Sequence, residues 1–453
     1  MIRRMHNPEK RNFTIENLGC AKNQVDAEVM HSYLEKDGWR YVEAAGDAEL
    51  IIINTCGFIR PAKEEAAETL FRLREAYPDK KILLAGCFAQ RYGLQLQEEL
   101  READGIFGNH DLSLIGTVAE QMSRDERPVL IPQASPYAVQ RSRLFSYPGS
   151  AYVKISEGCN HRCSFCAIPI IRGPLKSLPM GDVLQQIRSL QQQGVVEFNL
   201  IAQDLAAYGS DQGRPDFCRL LRSIGELEGD FWVRLLYIHP DNFPLELLSI
   251  MRDDPRILPY FDIPFQHASG KILRRMGRTG TATEYLDLVH QIRSELPGAV
   301  IRTTFMVGFP GEGRREYREL QRFQEEGAFD WAGVFDYSRE EGTKAFEMQS
   351  APVERLRRRG ALRRKEELEK IQIDISASRM ERFVGETMRI LVEEKVREED
   401  LALGRGYIHA PEVDGTAVIL SGDVKPGDWI DMRVVKRNNF DLEVIPLDGR
   451  RKS

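Results

Sequence analysis

Glu157-Gly158-Cys159-Asn160-His161-Arg162-Cys163-Ser164-Phe165-Cys166 follows at once on an apolar, β-prone run, Ala151-Tyr152-Val153-Lys154-Ile155. A strand ending there delivers three thiols on one short loop. Iron–sulfur cubanes are normally held by four cysteine thiolates. Three on one loop hold three corners and leave the fourth iron for an outside ligand. The next cysteine, Cys218, is far along the chain with no cysteine or histidine beside it. Two other accounts stand beside this one. Cysteines are often small buried hydrophobes, and zinc also takes thiolates but prefers a closed tetrahedron in structural sites. His161 as the fourth zinc ligand would have to close a strained chelate two residues from Cys159, so the spacing suits a cluster better.

Working outward, strand-like runs alternate with helical patterns on both sides of this loop. Before it come Phe13-Thr14-Ile15, Glu49 to Asn54 and Lys81 to Gly86, with helices expected over Asp26 to Asp37 and Pro61 to Ala76, the latter opening on proline. After it come Glu197 to Ile201, Phe231 to Leu236, Tyr260 to Ile263, Val300 to Val307 and Trp331 to Phe335. Such alternation predicts an α/β chain with parallel sheets: an N-terminal parallel α/β domain over 12–140, then a central partial (β/α) barrel over 146–380. Glu354 to Arg382 reads as a charged amphipathic helix with apolar residues at Leu356, Leu362, Leu368, Ile371 and Ile375. Its basic stretch from Arg355 to Lys365 is either a phosphate contact or, more simply, a solvated face with acidic partners. Over 383–449, short β-rich runs such as Met388 to Val392, Thr416 to Leu420 and Trp429 to Val435, with Gly, Pro and Asp turns between them, predict a small all-β barrel of five strands.

Ligands of parallel α/β sheets gather beyond the carboxyl ends of the strands. Cys20, Cys56 and Cys87 each follow such an end, in Leu18-Gly19-Cys20, Asn54-Thr55-Cys56 and Ala85-Gly86-Cys87. Three separate cysteines in one structural context point to one shared site; each alone reads equally as a buried residue near a turn.

Bulk properties set the frame. The chain has 453 residues, 42% hydrophobic and 29% charged, which suits about three globular domains. No run approaches a membrane span, and Met1 to Arg11 lacks an apolar signal core, so a cytoplasmic protein away from membranes is expected. Seven cysteines, an odd number, favour metal chemistry over a disulfide framework. A net charge of −6 gives no bulk attraction to nucleic acid.

The Cys159-Cys163-Cys166 spacing, with Phe165 before the last cysteine, resembles the signature of the radical S-adenosylmethionine (SAM) superfamily. Together with the N-terminal trio and a terminal barrel of the TRAM type, the chain resembles the methylthiotransferases over nearly its whole length. Leu18-Gly19-Cys20-Ala21-Lys22-Asn23-Gln24-Val25-Asp26, Ser156 to Pro169, Leu200-Ile201-Ala202-Gln203-Asp204 and Asp262-Ile263-Pro264-Phe265-Gln266-His267 are similar to the RimO branch, which modifies an aspartate of a small-subunit ribosomal protein, S12, near the decoding centre. The tRNA-modifying MiaB branch typically carries Gln-Met-Asn after its first cysteine.

That resemblance implies two [4Fe-4S] clusters as cofactors, one on Cys159, Cys163 and Cys166 and one on Cys20, Cys56 and Cys87. It implies two molecules of SAM: one cleaved to a deoxyadenosyl radical that takes hydrogen from the aspartate β-carbon, the other methylating sulfur held at the second cluster. An unactivated C–H bond has no acidic proton, so the cofactor must supply a radical and the protein orientation. Phe165 is implied near the adenine. Gln203 and Asp204 follow a strand and either contact the SAM ribose or cap the strand end. Gly308-Phe309-Pro310-Gly311-Glu312 resembles the family's SAM-supporting turn, although tight turn geometry alone explains its glycines. Arg172 and Lys176 are either cations for the substrate carboxylate or solvated charges, and His239 and His267 read as strand-end histidines. At Leu178 and Leu205-Ala206 the chain departs from relatives that carry arginine and hydroxyl residues. A sulfur donor, an electron donor such as flavodoxin or ferredoxin, and a monomeric enzyme acting on the ribosomal protein, free or in the assembled subunit, complete the expectation.

Val384 to Leu447 holds 13 acidic and 8 basic residues, a net −5. An RNA-docking barrel gains affinity by neutralising phosphate, whereas an acidic one complements a basic ribosomal protein. The alternative activity, tRNA adenosine methylthiolation of the MiaB type, is therefore less favoured. A non-catalytic ribosome-binding protein with structural clusters would have no use for open irons.

Overall fold

The computed structural model describes residues 11–133, 141–348 and 350–447. Met1 to Lys10 and the expected domain ends at 140 and 449 lie outside the described residues. The first sheet contains β1 (Asn12–Leu18), β2 (Arg40–Tyr41), β3 (Leu50–Thr55), β4 (Lys81–Gly86), β5 (Gly105–Phe107) and β6 (Val129–Leu130), all parallel in the order β2-β1-β3-β4-β5-β6. Helices α1 (Ala21–Lys36), α2 (Arg60–Ala76) and α3 (Cys87–Glu99) run between these strands. The strands β2, β5 and β6, of two or three residues, are too short to show a periodic pattern.

Helix α1 begins five residues before the expected Asp26, with Cys20 as its N-cap. Sequence periodicity understates it because both of its faces are buried. Ala27, Met30 and Leu34 pack on its own sheet. Val25 and Val29 pack into a core shared with the central sheet and the terminal barrel. Its polar residues Lys22, Asn23, Gln24, Asp26, Glu28 and His31 are buried as well. Buried polar groups must find partners, and most of these do so across the domain boundary. Arg141 Nη1 donates to Glu28 Oε2 at 2.7 Å, and Lys154 Nζ to Asp26 Oδ1 at 2.7 Å.

The central sheet is six parallel strands, β7 (Ser150–Lys154), β10 (Glu197–Ile201), β11 (Trp232–Leu236), β12 (Ile257–Asp262), β13 (Val300–Val307) and β14 (Trp331–Asp336), in the order β14-β13-β12-β11-β10-β7. A small antiparallel pair, β8 (Ser156–Glu157) and β9 (Lys176–Ser177), brackets the cysteine loop. Side chains of a strand alternate between faces, and here the two sets differ in chemistry. Val153, Leu200, Val233, Leu235, Ile301 and Phe305 join the core beneath the surrounding helices. Tyr152, Trp232, Tyr260, Val300 and Trp331 face the other way, into the core shared with α1 and the terminal barrel.

That barrel closes as β15 (Thr387–Lys395), β16 (Ala402–Arg405), β17 (Ala417–Ile419), β19 (Asp441–Pro446) and β18 (Trp429–Asn438), so no strand edge stays open. It docks on the inner face of the central sheet through buried charges. Glu197 accepts from Arg405 Nη2 at 2.7 Å and from Arg234 Nη2 at 3.0 Å, Arg405 also pairs with Glu393, and Tyr260 Oη donates to Asp414 Oδ2 at 2.5 Å. The expected long helix runs from Ala351 to Met380, but its contact face differs from the apolar positions expected. Leu356 is 82% exposed. Of the expected positions Leu368 is buried, and the rest of the contact comes from Ala361, Gln372, Ser376 and Met380, with Gln372 Nε2 donating to Phe329 O and Ser376 Oγ to Asp330 O.

Candidate functional site

Register explains how the N-terminal cysteines meet. Leu18 pairs with Thr55 across β1 and β3, and Thr55 with Gly86 across β3 and β4. Cys56 and Cys87 follow their strands by one residue and Cys20 by two, so all three leave neighbouring strands at one level. Strands lie ~4.8 Å apart, which sets the trio on one edge. Gly86, at φ 95°, makes the sharp turn from β4 into α3. A Cβ there would meet Thr55 O at 2.6 Å.

The three surroundings are unequal. Cys20 is exposed, Cys56 partly buried and Cys87 buried. Asn23 links two of them: its Oδ1 lies 3.5 Å from Cys20 Sγ and its Nδ2 3.8 Å from Cys87 Sγ. Burial, with the neighbouring Cys87 and Cys20, pushes the Cys56 thiol up to about 12. Burial also raises Cys87, against the opposing pull of Arg172.

On the central domain, Gly158 turns the chain at φ 71°, where a Cβ would lie 2.1 Å from Pro174 O. The loop is then tied down by Cys159 N to Gly173 O (3.1 Å), Ser164 N to Met276 O (2.9 Å) and Ser164 Oγ to Arg275 O (2.7 Å). Backbone amides already serve two sulfurs: His161 N donates to Cys159 Sγ and Ile168 N to Cys166 Sγ, each at 3.4 Å. Burial pushes the free thiols of Cys159 and Cys166 to about 11 and about 12 and raises Cys163. All seven cysteines are free thiols, and Cys218 stands apart beside Glu246. Among the described residues, no three His, Cys, Asp or Glu side chains are placed to hold a single metal ion.

The two trios are linked through Cys87 and the segment that follows Cys166. Cys87 packs with Ala167 and Ile171, directly after Cys166, in one small cluster. Arg172, expected as a substrate cation or a solvated charge, is not solvated. It is 5% exposed and bridges the sites, donating from Nη2 to Cys87 Sγ at 3.1 Å and pairing through Nη1 with Asp26 at 2.8 Å and Glu157 at 3.1 Å. Asn109 also reaches Cys87 Sγ, at 3.4 Å from Nδ2. Glu157 accepts from Lys154 Nζ at 2.7 Å and from Gln203 Nε2 at 3.0 Å. Burial alone would raise the Glu157 carboxyl; Arg172 and Lys154 outweigh it and hold it low. Lys176 is exposed.

Gln203 leaves its Oε1 buried without a partner beside this loop. Such an orphan costs roughly 1–3 kcal/mol and suits a ligand that brings a hydroxyl or amine. Asp204 is occupied otherwise: its side chain caps the following turn through Ala206 N at 3.1 Å and holds His161 Nε2 at 2.6 Å. The capping alternative is what this geometry shows for Asp204. His161 in turn stacks on His239 at 4.2 Å. Phe165 packs with Ile272, Met276 and Phe309, its ring edge-on to Phe309 at 6.5 Å, so it joins the cysteine loop to the Gly308 turn. Glu312 closes that turn on itself by accepting from Gly308 N at 2.6 Å. His267 is buried and accepts two backbone amides at Nδ1.

Each trio offers thiols of the kind an iron–sulfur group takes. Asp26 was present in the sequence motifs but carried no sign of its pairing, because its partners Lys154 and Arg172 come from another domain.

The chain matches three family models: the Uncharacterized protein family UPF0004 over residues 12–108, the Radical SAM superfamily over 153–323 and the TRAM domain over 384–445. It is 42% identical to the ribosomal protein uS12 methylthiotransferase RimO of Treponema denticola, covering 95% of this chain and 99% of that one. The protein of the same name from Thermodesulfovibrio yellowstonii is 37% identical over 96% and 99%, and that from Thermotoga maritima 39% over 94% and 98%. Among solved structures, the radical S-adenosylmethionine methyltransferase TsrM from Kitasatospora setae, with cobalamin and a [4Fe-4S] cluster bound, shares the fold at a TM-score of 0.55, with 15% identity over 74% of this chain and 77% of that one.

Proposed function

The chain belongs to the RimO family of radical SAM methylthiotransferases, and from that premise we propose that it methylthiolates the β-carbon of an aspartate in ribosomal protein uS12. The observation that carries the reading is the meeting of two three-cysteine sets across one domain boundary, with Arg172 joining Cys87 to Glu157 between them. Cys159, Cys163 and Cys166 would hold one [4Fe-4S] cluster and Cys20, Cys56 and Cys87 a second, each with one iron free of protein. When bound, these groups supply a deoxyadenosyl radical from SAM and the sulfur of the methylthio group.

The residues of the chain do the rest. The unpartnered Gln203 Oε1 and the Phe165 ring would receive SAM beside the first trio; the open acceptor and the ring's packing by the Gly308 turn support that reading. Gly158 and the backbone bonds to Gly173 and Met276 fix the cysteine loop, so positioning precedes chemistry. The buried pairs among Asp26, Lys154, Arg172 and Glu157 hold the N-terminal domain against the central sheet. That fixes the separation of the two trios and limits water between them. A one-electron donor must reach the first site and a sulfur donor must replenish the second.

Among the described residues no helix is long and apolar enough to cross a membrane, and a cytoplasmic enzyme meeting uS12, free or in the small subunit, fits this reading. Mass spectrometry of ribosomal proteins from cells lacking the gene tests it. One uS12 aspartate should lose a single S–CH₂ increment; an unchanged uS12 overturns the proposal.

A further inference from the structure

Lys22 lies in the first turn of α1, two residues after Cys20. It is 8% exposed, yet among the described residues its side chain makes no ion pair and no hydrogen bond. Its Nζ stands over the ring of Tyr237, 3.9 Å from the centroid. Buried cations are normally paired, and among the described residues this one has no carboxylate within hydrogen-bond reach.

The carboxylates near it are already committed. Glu157 accepts from Lys154, Arg172 and Gln203, Asp26 pairs with Lys154 and Arg172, and Asp262 pairs with Arg302 at 3.2 Å. Each of these carboxylates is held by another cation, and none lies within ion-pair distance of the Lys22 ammonium. Tyr237 adds a second, independent sign. It directly follows β11 at φ 72°, a conformation that costs a bulky residue on the order of 1–3 kcal/mol and gathers at ligand sites. Its backbone carbonyl is held by Leu205 N at 2.9 Å, and the turned backbone keeps the ring beneath the ammonium.

We propose that Lys22 is the residue that receives the substrate side-chain carboxylate, clamping it above Tyr237 between the two cysteine trios. This rests on the reading of an aspartate substrate given above. The chemistry gives the placement its point. In aspartate the β-carbon is bonded directly to the carboxyl carbon, so gripping the carboxylate fixes the C–H bond to be broken. A carboxamide in its place would lose the ionic bond and leave the ammonium unpaired. Lys22 thereby acts as a specificity and positioning residue, selecting an acidic side chain over an amide.

The test is a binding cycle with the full-length reconstituted enzyme, read as the Kd for labelled uS12 without turnover. Two forms of uS12 are used, with aspartate or asparagine at the modified position, against wild type, Lys22→Met and Lys22→Arg. A charge-assisted bond of this kind is worth roughly 10- to 150-fold in affinity. Wild type should prefer the aspartate form by that factor, Lys22→Met should bind both forms alike and no more weakly than wild type binds asparagine, and Lys22→Arg should restore the preference. If Lys22 serves instead to balance thiolate charge, Lys22→Met keeps the preference while the electron paramagnetic resonance of the Cys20, Cys56 and Cys87 site changes, and the proposal falls. Should Lys22→Met fail to fold, wild type and Lys22→Arg still decide: equal affinity of wild type for both forms overturns the proposal alone. A wild type that binds neither form overturns the aspartate reading itself.

Discussion

Replacing Arg405 by methionine removes the centre of the interface between the terminal barrel and the central sheet. Arg405 gives Nη2 to Glu197 Oε2 at 2.7 Å and Nη1 to Glu197 Oε1 at 3.0 Å, pairs through Nε with Glu393, and donates to His409 O at 3.2 Å. Both Arg405 and Glu197 are buried, at 3% and 0% exposure. Breaking a buried pair by deleting one partner costs ~3–5 kcal/mol, because the remaining charge stays in place. Here Glu197 keeps Arg234 and Ser150, which puts the cost near the lower end, about 3 kcal/mol. At ~1.4 kcal/mol per decade, that is roughly a 150-fold larger open population. Unfolding of a multidomain chain is rarely two-state, so local hydrogen exchange over Thr387–Lys395 and Ala402–Arg405 is the suitable assay. Adding Glu393→Gln should recover part of the loss, since burial already pushes that carboxyl up. An acceleration below about 5-fold, or an effect spread evenly over the N-terminal sheet, would refute the reasoning.

Other outcomes follow from the same contacts. Cys20, Cys56 and Cys87 all changed to alanine should leave SAM-dependent 5′-deoxyadenosine formation in place while abolishing methylthio transfer and lowering iron content by about half, the share of one of two cubanes; Cys159, Cys163 and Cys166 changed together should abolish both. Gly158→Ala adds a Cβ 2.1 Å from Pro174 O at a positive φ, so iron bound by the central loop should fall sharply while the N-terminal trio keeps its own. Burial, followed by Arg234 and Arg405, lowers His409 to about 3. The unfolded chain then takes a proton below ~6.5 that the folded barrel refuses, so stability is full above that pH and falls by ~1.4 kcal/mol per pH unit on acidification. Exchange in the barrel measured from about pH 7 down to 4 should show this slope, and His409→Gln should flatten it.

Much of the architecture was readable because its signals are local. All six central strands stand where their β-branched and aromatic runs place them, and the register of β1, β3 and β4 makes the convergence of Cys20, Cys56 and Cys87 a consequence of the strand ends. What the sequence concealed is what depends on contact between domains. α1 is polar along much of its length, yet it is buried on both sides, with Asp26 and Glu28 meeting Lys154 and Arg141. Arg172, three residues beyond Pro169, reads as a free cation until Cys87, 85 positions earlier, is found 3.1 Å away. The long helix misled in the other direction: Leu356 faces solvent while Gln372 and Ser376 make the contact. Polar side chains that cap a neighbouring loop leave no hydrophobic period to read.

The central claim is that the two cysteine sets act together on a ribosomal protein. It is tested most directly by incubating the anaerobically reconstituted enzyme with reductant, a sulfide source and methyl-labelled SAM in the presence of both uS12 and tRNA. The label should enter uS12 at a single aspartate, accompanied by 5′-deoxyadenosine. Label appearing in tRNA adenosine while uS12 stays unmodified would contradict the account.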